Sequence, residues 1–591
     1  MAVSPNRAEN DPERRIDPIL FEVIRNALVE VTEEMSVSLQ RTAFSTNVKT
    51  RLDYSSAFVD ADGRMVAQAF CQPAHLITIG RLVPRAVAEY GAENLAPGDM
   101  LVVNDPHRQA SHLNDIFLIA PVYHHGELVG YLSNICHHVD VGGGAPASIG
   151  AFRETYQEGI ILPVVKLVAG GEVDAGLWKM ILANVRAKKE VAGDLRAQIS
   201  ANNLGMRRLA AVLDRYGLDT VRFYTEYILD YTEKRTRAEL AKLPSGTFEA
   251  EGWLDDDGIS DRPVHLKARV TLDGRRAVFD FTGTDLQRWA PMNCNMTQTF
   301  TACVFVLKCL IDPDVPLNEG FYEVLEVIAP EGSAVNARHP GAIVGGWEVS
   351  TRLCEVLFKA LSQAMPDKVP AGTKGMICHV GFGGEDPRTG DYYTFLETMA
   401  GGFGGRIRSD GPDAVQTNVQ NTQNAPVEET ELNYPVRIMR YSLIPDSEGA
   451  GRFRGGLGLC REYVFPDHEP IFTTLADRAR FPPWGLFGGE DGRPARYLTV
   501  TGGEESPIPS KGTAPVAGGT MIRVETCGGG GYGPPWERDP ELVLGDVLEE
   551  KISVQRAREV YGVELDASDG SVDVIATNER RRALQARANL S

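Results

Sequence analysis

Long hydrophobic runs are missing from this chain of 591 residues. No stretch approaches the roughly 18 apolar residues that a membrane-spanning helix needs. The first sixteen residues are charged and lack the apolar core of a secretory signal. Together these absences predict a cytoplasmic protein without a membrane partner.

Paired cysteines and excess positive charge are also absent. The nine cysteines are scattered and show no CxxC spacing, which argues against a disulfide framework and against a structural zinc knot. We expect free thiols in a reducing compartment. The net charge of -20 and the isoelectric point near 5.1 argue against a nucleic-acid partner, because nucleic-acid binding needs positive charge.

The common nucleotide-binding motifs and the nucleophile motif of serine hydrolases are missing as well. There is no GxxxxGK[ST] phosphate loop, and no GxSxG nucleophile elbow. One run, residues 528–533, formally satisfies GxGxxG, but Pro534 and Pro535 follow where a helix should begin. If ATP takes part in the reaction, the sequence therefore predicts that another chain binds it.

Histidine is scarce in this chain, but it clusters. Six of the eleven histidines fall between His107 and His138, and three of them lie in the blocks SHLND (111–115) and CHHVD (136–140). Imidazole and carboxylate groups together suit Zn²⁺ or Mn²⁺ better than a thiolate set would. This cluster predicts a hydrolytic metal site.

A single β-hairpin would bring the two blocks together. Residues 116–123 and 128–135 are apolar and β-branched enough to form strands, and His125-Gly126 supplies a turn between them. Paired positions then sum to about 251 or 252, so that Asp115 lies opposite Cys136 or His137. A slip of one residue exchanges the faces of His137 and His138, and the sequence leaves both open as ligands.

We expect His112, Asp115 and His137 to be the metal ligands, with His138 and Asp140 as substitutes or as partners behind the ligands. Asp140, or the histidine that is not a ligand, is the candidate general base. The structural alternative is a polar hairpin end with solvated histidines.

Six further polar residues are candidates for other roles. Arg51 and Asp53 could orient a polar ring or a phosphate, and the alternative for them is a surface ion pair. Asp105 and His107 are weaker metal candidates, because a turn at residues 104–106 explains them without a metal. In a predicted helix at residues 184–202, Asp194 and Gln198 share one face, as exposed polar residues or as functional ones.

The hydrophobic pattern predicts an α+β fold with several lobes. We expect a disordered N-terminus (1–16), a mixed α/β lobe with the metal hairpin (17–175), a helical and β middle region (176–370) and a glycine-rich β lobe with a C-terminal tail (371–591). Helices are predicted to begin at Asp17-Pro18, to fill 175–243 with a break near Gly217, and to cover about 297–311 and 348–365. Strands are predicted at 51–68 and 246–283, around the turns at 62–63 and 273–274.

Eight ordered blocks resemble the hydantoinase B/oxoprolinase family over roughly residues 17–565. The blocks are RLDYSSAFVDADGRMVAQ, NDPHRQASHLND, CHHVDVGG, NVRAKKEVAGDLRAQ, GGFGGR, NTQNAPVEETE, YSLIPDSEGAGRFRGGLG and CGGGGYG. The resemblance implies the B-type subunit of an ATP-dependent cyclic-amide hydrolase, with acetone and acetophenone carboxylase subunits as relatives. The family's metal motif falls on His112, Asp115 and His137 or His138.

The resemblance also implies a division of labour within a hetero-oligomer. A hydantoinase A-type partner binds ATP and phosphorylates the substrate or bicarbonate, and the B-type chain completes the chemistry at Zn or Mn. We expect a hydrolase that opens a hydantoin, 5-oxoproline or a lactam. The alternatives are a subunit of an ATP-dependent ketone carboxylase and a non-catalytic scaffold subunit. The sequence leaves open the ring, the metal and the stoichiometry.

Overall fold

The computed structural model describes residues 16–69, 72–566 and 570–588. The predicted disorder at residues 1–16 therefore falls almost wholly outside the described residues, as does Cys71. The other eight cysteines are free thiols, as expected. Within the described ranges, no helix combines the length and the hydropathy needed to cross a membrane.

Thirteen helices lie within the described residues. They are α1 Pro18–Thr42, α2 Thr46–Lys49, α3 Pro73–Tyr90, α4 Ala175–Asn184, α5 Lys188–Tyr216, α6 Leu218–Leu240, α7 Met296–Leu310, α8 Glu319–Tyr322, α9 Gly346–Leu361, α10 Val427–Asn433, α11 Pro540–Leu548, α12 Val554–Glu559 and α13 Val574–Ala588.

Twenty strands accompany these helices in the described part of the chain. They are β1 Tyr54–Asp60, β2 Met65–Gln68, β3 Met100–Val103, β4 Asp115–His124, β5 Glu127–His137, β6 Val165–Ala169, β7 Glu172–Val173, β8 Gly246–Leu254, β9 Val264–Leu272, β10 Ala277–Asp280, β11 Leu325–Ile328, β12 His379–Glu385, β13 Tyr392–Thr398, β14 Arg437–Leu443, β15 Leu459–Val464, β16 Ile471–Leu475, β17 Arg496–Thr501, β18 Glu504–Pro507, β19 Lys511–Pro515 and β20 Met521–Glu525.

The strands form four sheets, which confirms the predicted α+β class. A seven-stranded antiparallel sheet has the order β2-β1-β5-β4-β3-β6-β7, and a four-stranded sheet has the order β11-β10-β9-β8. The C-terminal half adds a four-stranded sheet, β13-β12-β16-β19, and a five-stranded sheet, β14-β15-β20-β17-β18. The predicted lobe boundaries at residues 175 and 370 remain a prediction. The largest hydrophobic cluster contains residues from Ala57 to Leu475, so it includes side chains from both sides of each boundary.

Helix α1 shows how local chemistry fixes an element that the sequence predicts. The Asp17 side chain accepts hydrogen bonds from the N–H groups of Ile19 and Leu20, and Pro18 occupies the first turn, so the helix begins where it was predicted. Its apolar stripe packs largely against α5 and buries Ile24 and Met35 among other residues. The break predicted near Gly217 is confirmed, since α5 ends at Tyr216 and α6 begins at Leu218.

The predicted hairpin is the β4–β5 pair at the centre of the seven-stranded sheet. Asp115 pairs with His137, which is the second of the two predicted registers. His125 and Gly126 form the turn with φ angles of 50° and 85°, the left-handed values that two-residue hairpin turns require. Both strands are buried over almost their whole length. Strand β1 covers the other edge of β5, with Tyr54 opposite Cys136.

The longest glycine run of the C-terminal half makes backbone contacts that a β-strand does not make. Four successive N–H groups, from Gly528 to Gly531, donate to carbonyl oxygens in three separate chain segments, which contain Gly372, Gly456, and Glu490 with Arg493. A β-strand alternates between two neighbours only. Residues 528–531 and the three segments that accept their hydrogen bonds are therefore extended and packed backbone to backbone. We call this arrangement the glycine bundle.

Absent side chains make that packing possible. A Cβ atom on Gly529 would lie 2.0 Å from the carbonyl oxygen of Phe403, and one on Gly528 would lie 1.7 Å from that of Ser447. The glycine bundle explains why GxGxxG appears at residues 528–533 without a dinucleotide-binding helix.

Candidate metal centre

The open end of the β4–β5 hairpin carries two imidazoles and a carboxylate in mutual contact. His112 Nε2 lies 3.1 Å from His137 Nδ1. Asp115 reaches both rings, with Oδ1 at 3.1 Å from His137 Nδ1 and Oδ2 at 3.3 Å from His112 Nε2. All three residues are at most 4% exposed. The alternative of a hairpin end with solvated histidines is therefore wrong.

These separations fit a shared divalent cation. Ligand atoms at about 2.0–2.1 Å from a tetrahedral ion stand about 3.3–3.4 Å from one another. One ligand atom from each of His112, Asp115 and His137 lies within 4.8 Å of the other two. The closest approaches, 3.1 and 3.3 Å, are near the tetrahedral value, and Asp115 makes its two with different carboxylate oxygens. Two imidazoles and one carboxylate also match the ligand types of catalytic zinc sites, which keep a fourth position for water.

Local structure explains how the three residues meet. Asp115 is the first residue of β4, and His137 is the last residue of β5, directly opposite. His112 lies one turn earlier, where its carbonyl accepts the N–H of Asp115 at 3.0 Å. The hydroxyl of Ser111 donates to Asp115 Oδ2.

The buried amide of Asn104 holds the loop before β4 in place. It donates to the carbonyl of Leu113 at 2.7 Å and accepts the N–H of Leu162 at 2.7 Å. The position of His112 therefore also depends on Asn104, a buried polar residue outside the histidine blocks.

A small cavity of about 30 Å³ adjoins the cluster. Asp53, His75, His112, His137 and His379 contribute polar side chains to its wall. His75 Nε2 lies 3.5 Å from Asp53 Oδ1 and 3.6 Å from Asp115 Oδ1. This volume is about a tenth of the lower end of the range typical of small-molecule sites, so the cavity has room for water but not for a substrate ring.

Burial and charge shift the proton affinities of the cluster. Burial raises the pKa of Asp115, but His112 and His75 outweigh it and hold that pKa well below the usual value. Burial lowers the pKa of His112, yet the Asp115 and Asp53 carboxylates outweigh it and leave the pKa raised. Burial dominates at His75 and His379 and lowers the pKa of each ring. Asp115 is therefore ionised and available as a ligand at neutral pH.

His138 points away from the cluster. Its Nε2 lies 3.0 Å from Gln198 Oε1 on α5, and its backbone N–H donates to Asn114. Alternate strand positions face opposite sides of a sheet, so His137 faces the cluster and His138 faces the helix. The general-base role of His138 stays a prediction that these contacts do not support.

Asp140 is also not brought to the cluster. Its carboxylate accepts the N–H groups of Gly142 and Arg186 and forms an ion pair of 3.0 Å with the Arg186 guanidinium. Burial raises the pKa of Asp140. These contacts give Asp140 a loop-fixing position, and its predicted role as a general base has no geometric support.

Arg51 and Asp53 are both buried, so the alternative of a surface ion pair is wrong. The Arg51 guanidinium donates to Asn47 Oδ1, the Leu396 carbonyl and Thr398 Oγ1. Arg51 thus joins the N-terminal sheet to β13, while Asp53 lines the cavity itself.

The weaker candidates Asp105 and His107 form the predicted turn, because Asp105 Oδ1 accepts the N–H of His107 at 3.0 Å. The ring of His107 contacts Thr155 Oγ1 and the Gly341 carbonyl. Neither residue lines the small cavity beside the cluster, which we call the metal cavity.

The sequence interpretation missed His75 and His379. His75 lies in the first turn of α3, and His379 begins β12 beside Glu348, 3.6 Å away. Both histidines sit inside otherwise apolar segments, and that isolation was the available signal. It missed the burial of Asp194 and Gln198 too: Asp194 Oδ1 accepts the N–H groups of Phe44 and Ser45, so the exposed alternative is wrong.

Comparison with known proteins places this chain in a family. The sequence model of the hydantoinase B/oxoprolinase family matches residues 17–535. The B-type component of a putative D-/L-hydantoinase from Pseudomonas sp. (strain NS671) is 33% identical over 96% of this chain and 98% of its own length.

Solved structures show the same fold. The crystal structure of ATP-dependent caprolactamase from Pseudomonas jessenii covers 96% of this chain and 100% of its own, with a TM-score of 0.89 and 30% identity. A nucleotide-free structure of acetone carboxylase covers 97% of this chain and 84% of its own, with a TM-score of 0.90. At 18% identity, the second likeness concerns the fold alone.

Proposed function

Because the chain belongs to the hydantoinase B/oxoprolinase family, we propose that it is the metal-bearing subunit of an ATP-dependent amidohydrolase that opens a cyclic amide. The substrate class comprises hydantoins, 5-oxoproline and lactams. A hydantoinase A-type partner binds ATP and phosphorylates the amide before this chain completes the hydrolysis. The observation that carries the proposal is the buried cluster of His112, Asp115 and His137.

The cluster would hold one Zn²⁺ or Mn²⁺ ion. When bound, such an ion lowers the pKa of a coordinated water to about 7 and holds the nucleophile in place. Asp53 and His75 line the same cavity, and His75 lies between the Asp53 and Asp115 carboxylates. His75 is therefore better placed than Asp140 to exchange a proton with a water in the cavity.

The need for a partner follows from the chemistry. An amide in an unstrained ring is stabilised by resonance, and converting its oxygen into a phosphate ester makes the carbon electrophilic. The sequence contains no GxxxxGK[ST] phosphate loop, and the names of the related Pseudomonas proteins mark them as the B component of a hydantoinase and the beta component of a caprolactamase. These names support a second, ATP-binding subunit.

The adjacent histidines of β5 provide a matched test. We expect wild-type protein to contain about one equivalent of Zn or Mn per chain, and His137→Ala to lose it. His138→Gln should keep the metal, because Gln can retain the contact with Gln198. With the partner present, His137→Ala should lose more than the roughly 10- to 100-fold in cyclic-amide hydrolysis that is typical of residues behind a ligand.

Two results would contradict the proposal. Less than about half an equivalent of metal, with hydrolysis surviving in His112→Ala and Asp115→Ala, would indicate a scaffold role instead. Turnover of a ketone that depends on bicarbonate, with no hydrolysis of cyclic amides, would indicate a carboxylase component. Elemental analysis and an ATP-coupled assay with and without bicarbonate separate these outcomes.

A further inference from the structure

A second cavity lies behind the first turn of α3. Its volume is about 690 Å³, within the range of about 300–1,000 Å³ that is typical of small-molecule sites. Helices α1, α3, α6 and α7, the end of β2 and the segment 313–318 form its wall. Most of the wall is apolar, with Leu28, Ile77, Val304 and Phe305 among the lining residues. We call this cavity the chamber.

The chamber and the metal cavity share a wall. Pro73 and Ile77 line the chamber, whereas Ala74 and His75 line the metal cavity. A helix with its side chains is about 10 Å across, so the two spaces are separated by about the thickness of one helix. Since the metal cavity is too small for a substrate ring, a ring held before it reaches the metal needs another place to bind, and the chamber lies beside that cavity.

The two cationic side chains in the chamber wall, Arg25 and Lys308, already have hydrogen-bond partners. Arg25 donates to Glu22 through Nε at 3.2 Å and Nη2 at 2.7 Å. Lys308 Nζ donates to the carbonyl groups of Asp312, Pro313 and Val315. Arg25 is paired with a carboxylate, the three donors of Lys308 are engaged, and the Asp314 carboxylate also lines the chamber. An anionic ligand would therefore lose its hydration and meet a like charge.

The wall does offer an acceptor that lacks a donor. Gln68 Nε2 donates to the Leu317 carbonyl at 2.9 Å, which fixes the orientation of the amide. Gln68 Oε1 is buried and has no hydrogen-bond partner among the described residues. Such an atom costs free energy until a donor reaches it, and the N–H of a cyclic amide is a donor of the right kind.

We propose that the chamber is a holding site for a neutral, hydrophobic cyclic amide, with its hydrocarbon part against α7 and its N–H directed to Gln68. The identity of the ligand rests on the proposed function, whereas the site itself rests on the chamber. The chamber selects lactams and alkyl-substituted hydantoins over 5-oxoproline, whose carboxylate finds no free cation at Arg25 or Lys308.

Cys309 lines the chamber and reports on its occupancy. The test uses the protein with its metal and partner but without ATP, so that no turnover occurs. Alkylation of Cys309 by N-ethylmaleimide is followed by peptide mass spectrometry, with Cys309→Ser as the background. We expect saturating ε-caprolactam to slow alkylation at least about fivefold, in proportion to the occupied fraction, and 5-oxoproline to leave the rate unchanged.

A size change at the same position tests whether the chamber serves the reaction. Cys309→Trp fills part of the chamber, so we expect its KM for ε-caprolactam to exceed that of Cys309→Ser by about tenfold with a similar kcat, because only substrate binding is lost. Metal content should match in the two variants, which controls for misfolding.

The outcomes separate the two proposals. Protection of Cys309 by ε-caprolactam in a protein that hydrolyses no cyclic amide would uphold the chamber and reject the proposed function. Hydrolysis that proceeds without protection, and with equal KM values in the two variants, would overturn the chamber. Equal protection by 5-oxoproline would overturn its selectivity for neutral ligands.

Discussion

At the scale of single residues, Asp115 balances the charges of the histidine cluster. Its two oxygens contact Ser111, His75, His112 and His137, so every side of a fully buried carboxylate is engaged. A buried charge is stable only with such compensation. Two of these contacts come from histidines of its own hairpin, while His75 comes from α3, 40 positions earlier in the chain.

A second buried acid makes the fold sensitive to pH. Glu158 Oε1 accepts the N–H groups of Ile343 and Val344 at 2.6 and 2.7 Å, and burial raises the pKa of Glu158 from 4.5 to about 7. The folded protein holds a proton that the unfolded chain has already released. Glu158 therefore contributes stability that is fully present below pH 4.5 and is lost as the pH rises through about 7.

Glu158→Gln should remove this dependence, because glutamine keeps the accepting oxygen but does not titrate. Between pH 5 and pH 8, we expect the free energy of unfolding of the wild type to fall by about 2 kcal/mol relative to the variant. Urea unfolding at both pH values measures the difference. Parallel pH profiles would show that Glu158 does not carry a raised pKa.

At the scale of elements, the hairpin is the part that the sequence predicts best. The turn at His125-Gly126 restricts the pairing to two registers. What packs on each face of the sheet then decides whether His137 or His138 joins the cluster. Gln198 on α5 contacts the His138 ring, and His75 on α3 adjoins the cluster. Those helices lie tens of residues away in the sequence, so no local pattern in the hairpin contains that information.

Asp140 illustrates the same limit. Its position two residues after His138 suggests a ligand or a base, but the ion pair with Arg186 depends on the loop before α5. A hairpin of residues 111–140 alone leaves this carboxylate pointing in an unknown direction. The cluster residues on the hairpin could be predicted, whereas the contributions of α3 and β12 needed the three-dimensional structure.

The turn of the hairpin can be perturbed without touching the metal. Gly126 has a φ of 85° and open space around the position of a Cβ. Gly126→Ala should cost about 1 kcal/mol from backbone strain alone, whereas Gly126→Asn should cost less, because asparagine tolerates the left-handed region. The turn is about 30 Å from the cluster along a ten-residue strand.

Urea unfolding gives the stability of both variants, and elemental analysis gives their metal content. We expect the same metal content as in the wild type. Loss of metal in Gly126→Ala would mean that the register of the whole hairpin depends on this turn.

At the scale of the whole molecule, the glycine bundle ties distant parts of the chain together. Gly529 donates to Gly456, Gly530 donates to Gly372, and Gly531 donates to Glu490, so one short run connects segments more than 150 positions apart. The composition shows the glycines but not the segments that surround them. Only the backbone contacts reveal that their lack of side chains serves close packing rather than positive φ angles.

The same substitution at two glycines separates packing from backbone preference. In Gly529→Ala the new Cβ would meet the Phe403 carbonyl oxygen at 2.0 Å and the backbone nitrogen of Gly404 at 2.9 Å. Relief requires the bundle to separate, so we expect a loss of about 4 kcal/mol or more, which is the range of severe overpacking and broken hydrogen-bond networks. In Gly545→Ala, within α11, nothing lies within 4 Å of the new atom, and alanine should stabilise the helix by up to about 1 kcal/mol. Thermal unfolding of both variants measures the contrast.

Because the bundle joins Gly372 to the segment after β20, unfolding in Gly529→Ala should also release the β12 end of the metal cavity and lower metal content in proportion to the unfolded fraction. A Gly529→Ala protein as stable as Gly545→Ala would show that the bundle can expand freely and does not hold the C-terminal sheets against the site.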